Sequence, residues 1–459
     1  MDTTADGESR ALTTSEALLW QAEESGHRLP VVGVAMLDGT PDIAALSRSV
    51  QRCVRLYPLL SCRVTAPQLP VSAPRWEPLA EIDLSYHLRR TALPAGTGWA
   101  GLLGLAQTAA TSPFDRNRPL WDVLLVEGVD GGSAALVMRL HHAMVDGLRA
   151  LELFSSLCDE GARRPRPGRL SLISPAGGGP AVPDPSPFLG MPSRNPFGAA
   201  VVGRGQQLVA TGLRRVTSAG AGLRASRNGL CLPAKHSPAL RGRSQDRRLL
   251  TLSAPQEDLR RSGRTVGGTS HDAFLAAVIG GVHHYHRATG LSWDHIPMAV
   301  AVALPARADE AVNRFSGVRL AGATGEEDPR RRLEQIHRAM RATRALPAID
   351  PDGLGPISSM LAAAPVKAVR ILTDVVTESD AHCTYVPGPE ERRNIAGAGV
   401  TKLFAFAPAV NSAFSAAMCS YDATCAIGVN VDPRAVKDVE LLHSSLRTGL
   451  EEVLFLGGK

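Results

Sequence analysis

The chain has 459 residues, 44% hydrophobic and 20% charged, with 44 Gly, 33 Pro and a formal net charge of +6. That length exceeds what one hydrophobic core usually serves, roughly 250–300 residues, so two folded units are expected. The apolar fraction excludes a wholly disordered chain, and 4% aromatic residues argue against an extended stacking surface for single-stranded nucleic acid.

In chain order, Met1–Asp6 is polar and acidic, with no basic region leading into an apolar one, so no secretory signal is expected. Residues 8–160 read as a first unit. Strand-like runs at Val31–Leu37, Val123–Val129 and Ala134–Leu140 alternate with helical patterns at Pro41–Tyr57 and Trp99–Ala110. Asp130-Gly131-Gly132 between two apolar runs reads as a hairpin turn.

Residues 161–245 change character. Arg163–Pro196 is dense in Pro, Gly and Ser and reads as a linker, and Ala199–Arg227 as a basic amphipathic helix. Between Arg163 and Arg248 there are fifteen basic residues against Asp184 and Asp246, a segment charge of +13 on a chain whose remainder carries −7. Such a segment suits an anionic membrane or lipid-droplet surface, the phosphates of a ligand, or plain solvation.

Residues 246–459 form the second unit. Helices are expected at Ser270–Tyr285, Pro329–Arg344 and Ala435–Leu454, and strands at Met298–Leu304, Ala413–Tyr421 and Thr424–Val431. Mixed strands and helices in two similar halves indicate an α/β (α+β) two-domain protein. The longest apolar stretches fall short of the ~20 residues of a membrane span. Seven scattered cysteines without a CxxC pair suit a reducing cytoplasm.

The chemistry concentrates in Leu140-His141-His142-Ala143-Met144-Val145-Asp146-Gly147. Two histidines at a strand end, followed by an acid and a glycine before a helix, suit a general base, because an imidazole of pKa near 6.5 accepts a proton at neutral pH. Gly147 is expected to let the chain turn sharply after Asp146. His141, His142 and Asp146 lack a further imidazole or Cys cluster nearby, so no metal is expected. His283-His284-Tyr285-His286 reads as a solvated helix end. Gly268-Thr269-Ser270-His271-Asp272 lacks the closing glycine of a nucleophile elbow, and no Gly-rich phosphate loop is present.

The HHxxxDG element, Pro119-Leu120-Trp121 and Val386-Pro387-Gly388-Pro389 together resemble the bacterial wax ester synthase/diacylglycerol acyltransferase family. CoA-dependent acyltransferases and peptide-synthetase condensation domains are more distant relatives. Leu12–Ala17, Tyr86–Arg90, Asn313-Arg314-Phe315 and Ser420-Tyr421-Asp422 add weaker matches. The resemblance implies two chloramphenicol-acetyltransferase-like halves with a tunnel between them. It implies acyl-CoA and a hydrophobic alcohol as substrates and no cofactor; no recognisable nucleic-acid-binding module is present, so no nucleic-acid partner is expected. His142 would deprotonate the alcohol without a covalent acyl-enzyme. His141 would shape the loop and Asp146 would pair with an arginine, for which Arg307 is the candidate.

The candidate catalytic set is therefore His142, His141 and Asp146, with Gly147 and Arg307 structural at the site. Pro119, Leu120, Trp121, His271, Asp272 and Tyr385 are candidate substrate contacts. His271 and Tyr385 stand where the family usually carries asparagine. That departure keeps open acylation of a specialised metabolite, or a lipid-binding relative with impaired catalysis.

Overall fold

The structure, a computed structural model, describes residues 9–24, 26–65, 74–159, 234–303, 315–344 and 377–458. The expected linker at 163–196, the basic helix at 199–227, Arg307 and the Asn313-Arg314 pair lie outside the described residues.

The first sheet grows from the alternating runs of the N-terminal half. Its strands β2 (Pro30–Leu37), β5 (Leu88–Ala92), β6 (Trp121–Glu127) and β7 (Ala134–His141) are joined by β12 (Asn394–Ile395) and β13 (Ala398–Phe406), in the order β12-β13-β2-β7-β6-β5. β5 runs parallel to β6 and the other pairs are antiparallel. Gly131 and Gly132 close the β6–β7 hairpin at φ +56° and +84°, where a side chain would be strained. A small sheet of β1 (Arg10–Ala11), β4 (Arg75–Pro78) and β3 (Cys62–Thr65) lies beside it in sequence.

Side chains alternate across these strands, so the sheet buries two faces. Ala35, Leu37, Ala134, Leu136 and Met138 share a core with helices α1 (Thr14–Glu24), α2 (Ile43–Leu56) and α5 (Gly147–Leu157). Val32, Val34, Ala135 and Val137 face α4 (Gly98–Thr111), together with Leu249 and Ala426 of the second half.

The second sheet contains β8 (Arg248–Pro255), β9 (Ile296–Ala303), β10 (Phe315–Gly322), β11 (Ser379–Pro387), β14 (Ser412–Tyr421) and β15 (Thr424–Val431), ordered β10-β9-β11-β14-β15-β8. β11 is parallel to both its neighbours. Its core is shared with α6 (Gln256–Arg264), α7 (Ser270–Ala288), α8 (Pro329–Arg344) and α9 (Val439–Gly457). Among the described residues no helix is long and apolar enough to cross a membrane.

Two features depart from the sequence reading. Residues 394–406 belong to the C-terminal half in sequence, yet β13 pairs antiparallel with β2 and completes the first sheet. The β12–β13 turn, at Ala396 and Gly397, is held by the Asp159 carboxylate, which accepts both backbone N–H groups at 2.8 and 2.9 Å. His283 and His286 are also not solvated. α7 is enclosed by its neighbours, His283 and His286 are 8% and 2% exposed, and they bond Thr324 O and Ser237 Oγ at 2.8 Å each.

α7 and α9 approach closely through Gly280, Gly281 and Gly449. A Cβ on Gly449 would lie 2.5 Å from Ala277 O and would also overlap the backbone nitrogen of Gly281. Gly449→Ala is therefore expected to push the helices apart and destabilise the fold by about 1–3 kcal/mol, despite the better helix propensity of alanine. Urea unfolding of the two proteins measures it; equal midpoints contradict the close contact.

Candidate active site

β7 delivers the two histidines at its C-terminal end, with neighbouring strand ends clamping each backbone. The His141 N–H donates to Leu120 O at 2.9 Å, and the His142 N–H to Leu29 O at 3.1 Å. The side chains consequently differ in environment. His141 is fully buried, between Phe114 and Trp20, whose ring centroids lie 5.8 and 6.1 Å away. His142 keeps partial access to solvent.

Both nitrogens of His141 are engaged within the protein. Nδ1 accepts the Ala143 N–H at 3.0 Å, which places the ring proton on Nε2, and Nε2–H donates to Glu23 Oε2 at 3.1 Å. This geometry leaves His141 no free nitrogen for a substrate proton. Burial lowers the His142 pKa from its ordinary value; the backbone carbonyls of His142 and Val145 and the Asp146 charge oppose it. The imidazole at 142 is thereby kept basic and uncharged near neutrality.

Ala143, Met144 and Val145 are buried, and the Met144 N–H donates to His141 O at 2.9 Å. Asp146 is the N-cap of α5, its Oδ1 accepting the Arg149 N–H at 2.7 Å. Gly147 serves a purpose other than the expected turn. It is absent from the positive-φ residues, and a Cβ there would lie 2.8 Å from Val386 Cγ2. Its missing side chain admits β11 of the second half against the start of α5. Met144, Val145, Val386, Cys419 and Tyr421 share one core, so the loop carrying His142 lies where the two halves meet.

The other candidates fall into two groups. Pro119, Leu120 and Trp121 are buried. Leu120 supplies the carbonyl that holds His141, and Trp121 Nε1–H donates to Leu60 O at 2.8 Å while its ring stacks 4.4 Å from His87. Asp272 is fully buried and closes a capping box with Thr269, its Oδ2 accepting the Thr269 N–H at 2.9 Å and lying 3.1 Å from His337 Nδ1. These residues, expected as substrate contacts, are used here to hold the framework.

His271 and Tyr385 do come together. Their ring centroids are 5.8 Å apart, and both are partly exposed. Burial raises the Tyr385 pKa, against a hydrogen bond to Ser420 at 3.3 Å between hydroxyl oxygens. Ser420 Oγ also accepts the Gly388 N–H at 3.1 Å, and a side chain on Gly388 would overlap Ser420 O. The Val386–Pro389 segment is thus seated on β14, with Tyr385 on one side and Val386 against Gly147.

Glu23 and Ser420 contribute to this arrangement without a sequence signal that points to them. A lone glutamate on an amphipathic helix reads as solvent-facing, and only the fold brings it to a residue 118 positions away. Ser420 stands in the sequence only within a weak motif.

Two mixed sheets meeting around an HHxxxDG loop define the fold of acyl-transfer and condensation proteins. A solved wax ester synthase/diacylglycerol acyltransferase from Marinobacter aquaeolei VT8 superposes with TM-score 0.65 at 19% identity, covering 98% of this chain and 100% of that one. The first condensation domain of the calcium-dependent antibiotic synthetase gives TM-score 0.62 at 17% identity, covering 98% and 97%. Residues 12–274 match the wax ester synthase/diacylglycerol acyltransferase catalytic domain and residues 312–453 the WS/DGAT C-terminal domain. A Mycobacterium tuberculosis H37Rv protein named "Putative diacyglycerol O-acyltransferase" is 30% identical over 443 residues, covering 94% of this chain and 89% of its own. A second protein of that name and strain is 28% identical over 472 residues, covering 97% of each. The chain belongs to the WS/DGAT family of acyltransferases.

Proposed function

We propose that this protein transfers the acyl group of an acyl-CoA to the hydroxyl of a hydrophobic alcohol, diacylglycerol or a long-chain alcohol, with His142 as general base. The observation that carries the reading is the contrast between adjacent histidines. His141 is buried with both nitrogens bonded, whereas His142 is partly exposed and held in its basic form at the meeting of the halves.

The alcohol hydroxyl gives its proton to the imidazole of His142 as its oxygen attacks the thioester carbonyl. The tetrahedral intermediate collapses with cleavage of the C–S bond, and the imidazolium returns the proton to the departing CoA sulfur. An ester and free CoA result, with no acyl-enzyme. Bringing two bound substrates into contact supplies much of the acceleration, and the base about 10²–10⁴-fold. Peripheral contact with a membrane or lipid droplet, where such alcohols reside, fits this reaction.

Purified protein given palmitoyl-CoA and a panel of alcohols is expected to release CoA in equal amount to the ester seen by mass spectrometry. No CoA release above the protein-free rate across the panel overturns the reading. The His271–Tyr385 pair, packed together where the family usually has two amides, favours a second reading in which the acceptor is a specialised-metabolite hydroxyl. Acylation of such hydroxyls with none of diacylglycerol or hexadecanol selects it.

A further inference from the structure

Glu23 is 6% exposed on α1, and the ordinary reason for burying a carboxylate there, packing, is better served by an apolar side chain. What a carboxylate adds is orientation of the ring it touches. Glu23 Oε2 receives Nε2–H of His141, and the opposite nitrogen of that rigid ring receives the Ala143 N–H. That N–H belongs to the peptide bond leaving His142.

We propose that Glu23 is a positioning residue for His142: through the His141 ring it fixes the peptide plane that follows the base, and so the aim of the base itself. The proposal rests on the functional reading above for what His142 does.

Three further observations agree with it. The His142 N–H is held from the other side by Leu29 O, so the residue is fixed at both of its peptide bonds. The charge of Glu23 is maintained: burial pushes its carboxyl up, but the hydrogen bond from His141 and the Arg116 and Arg28 charges pull it down, and the net shift is downward. Arg116, 3.9 Å from Glu23 Oε2, is steadied by its guanidinium lying 4.3 Å over the Trp20 ring. The carboxylate is therefore placed, ionised and braced.

The test compares Glu23→Gln with Glu23→Met in the full chain. Both fill nearly the same volume, but only the amide carbonyl accepts Nε2–H. With palmitoyl-CoA and an accepted alcohol, Glu23→Met is expected to lower kcat by about 30-fold with KM within about two-fold, and Glu23→Gln to stay within about three-fold of wild type. Equal kcat for the two variants, or a change confined to KM, overturns the proposal.

Amide hydrogen exchange over residues 142–146 gives a readout independent of turnover: slow in wild type and Glu23→Gln, fast in Glu23→Met. Equal exchange in wild type and Glu23→Met overturns it. Should wild type release no CoA, the functional reading fails, while exchange still decides whether Glu23 fixes the loop. Should Glu23→Met fail to melt cooperatively, a Glu23→Gln kcat as low as about 1/30 of wild type, or fast wild-type exchange at Ala143, overturns it.

Discussion

His142→Ala is expected to lower kcat by about 10²–10⁴-fold while melting as cooperatively as wild type. The fold should survive because the backbone bonds on either side of residue 142, its N–H to Leu29 O and the Ala143 N–H to His141 Nδ1, are retained by alanine, and because the ring is partly exposed. KM for both substrates should change little, since the base acts on a proton in flight and not on ground-state binding. The pH dependence of the wild-type protein supplies the complementary measurement. A general base must be unprotonated, and burial holds His142 below its ordinary 6.5. The sign follows: kcat/KM falls on the acid side with its midpoint below pH 6.5, and a midpoint at or above 6.5 contradicts the depressed base. A folded His142→Ala protein with wild-type kcat removes His142 from the mechanism.

The sequence was informative wherever the chemistry is local. HHxxxDG could be placed between a strand and a helix because an apolar run ends at Leu140 and an acid and a glycine precede the next helical pattern; β7 ends one residue later, at His141, and α5 begins at Gly147. Non-local partners were not legible. Nothing in residues 398–406 says that they pair with β2 across the molecule, since a strand's own pattern fixes which faces it buries, and not against which strand. The same limitation explains the histidines of α7: polar residues at a helix end look solvated until the helices covering them are in place. Gly147 reads as a turn glycine, whereas a Cβ there meets Val386, and close approach by a distant residue cannot be seen from one side of the contact. Leu120, Trp121 and Asp272 show a further confusion. Residues that hold the framework stand in the same short motifs as residues that would touch substrate.

Acidification should weaken the fold itself in a window set by two histidines of the second half. His286 is 2% exposed, and burial pushes its pKa down to about 4, with Asp380 opposing and His283 adding to the shift. Ser237 Oγ lies 2.8 Å from its Nε2 and has its own backbone tie, accepting the Ala239 N–H at 3.2 Å, so its hydroxyl proton is free to point at His286. Protonating Nε2 removes that acceptor and places a charge in the core. Burial lowers His382 to about 4 as well, against a backbone hydrogen bond to Thr377 O and aided by Arg319 and Arg243. In both cases the folded value lies below the unfolded one, so between them the unfolded chain binds more protons. The stability present above pH 6.5 is then lost as pH falls toward 4. For His286 alone the full loss is about 3 kcal/mol, and about 2 kcal/mol by pH 5, a large share of the 5–15 kcal/mol typical of a domain. His286→Gln, whose amide oxygen can accept the Ser237 hydroxyl, is expected to flatten the decline in urea midpoint between pH 7 and 5. An unchanged slope contradicts the assignment. Because His142 also titrates below 6.5, activity and stability fall in overlapping ranges, and this variant separates them: it should restore the acid-side melting while leaving the acid limb of kcat/KM where the base puts it.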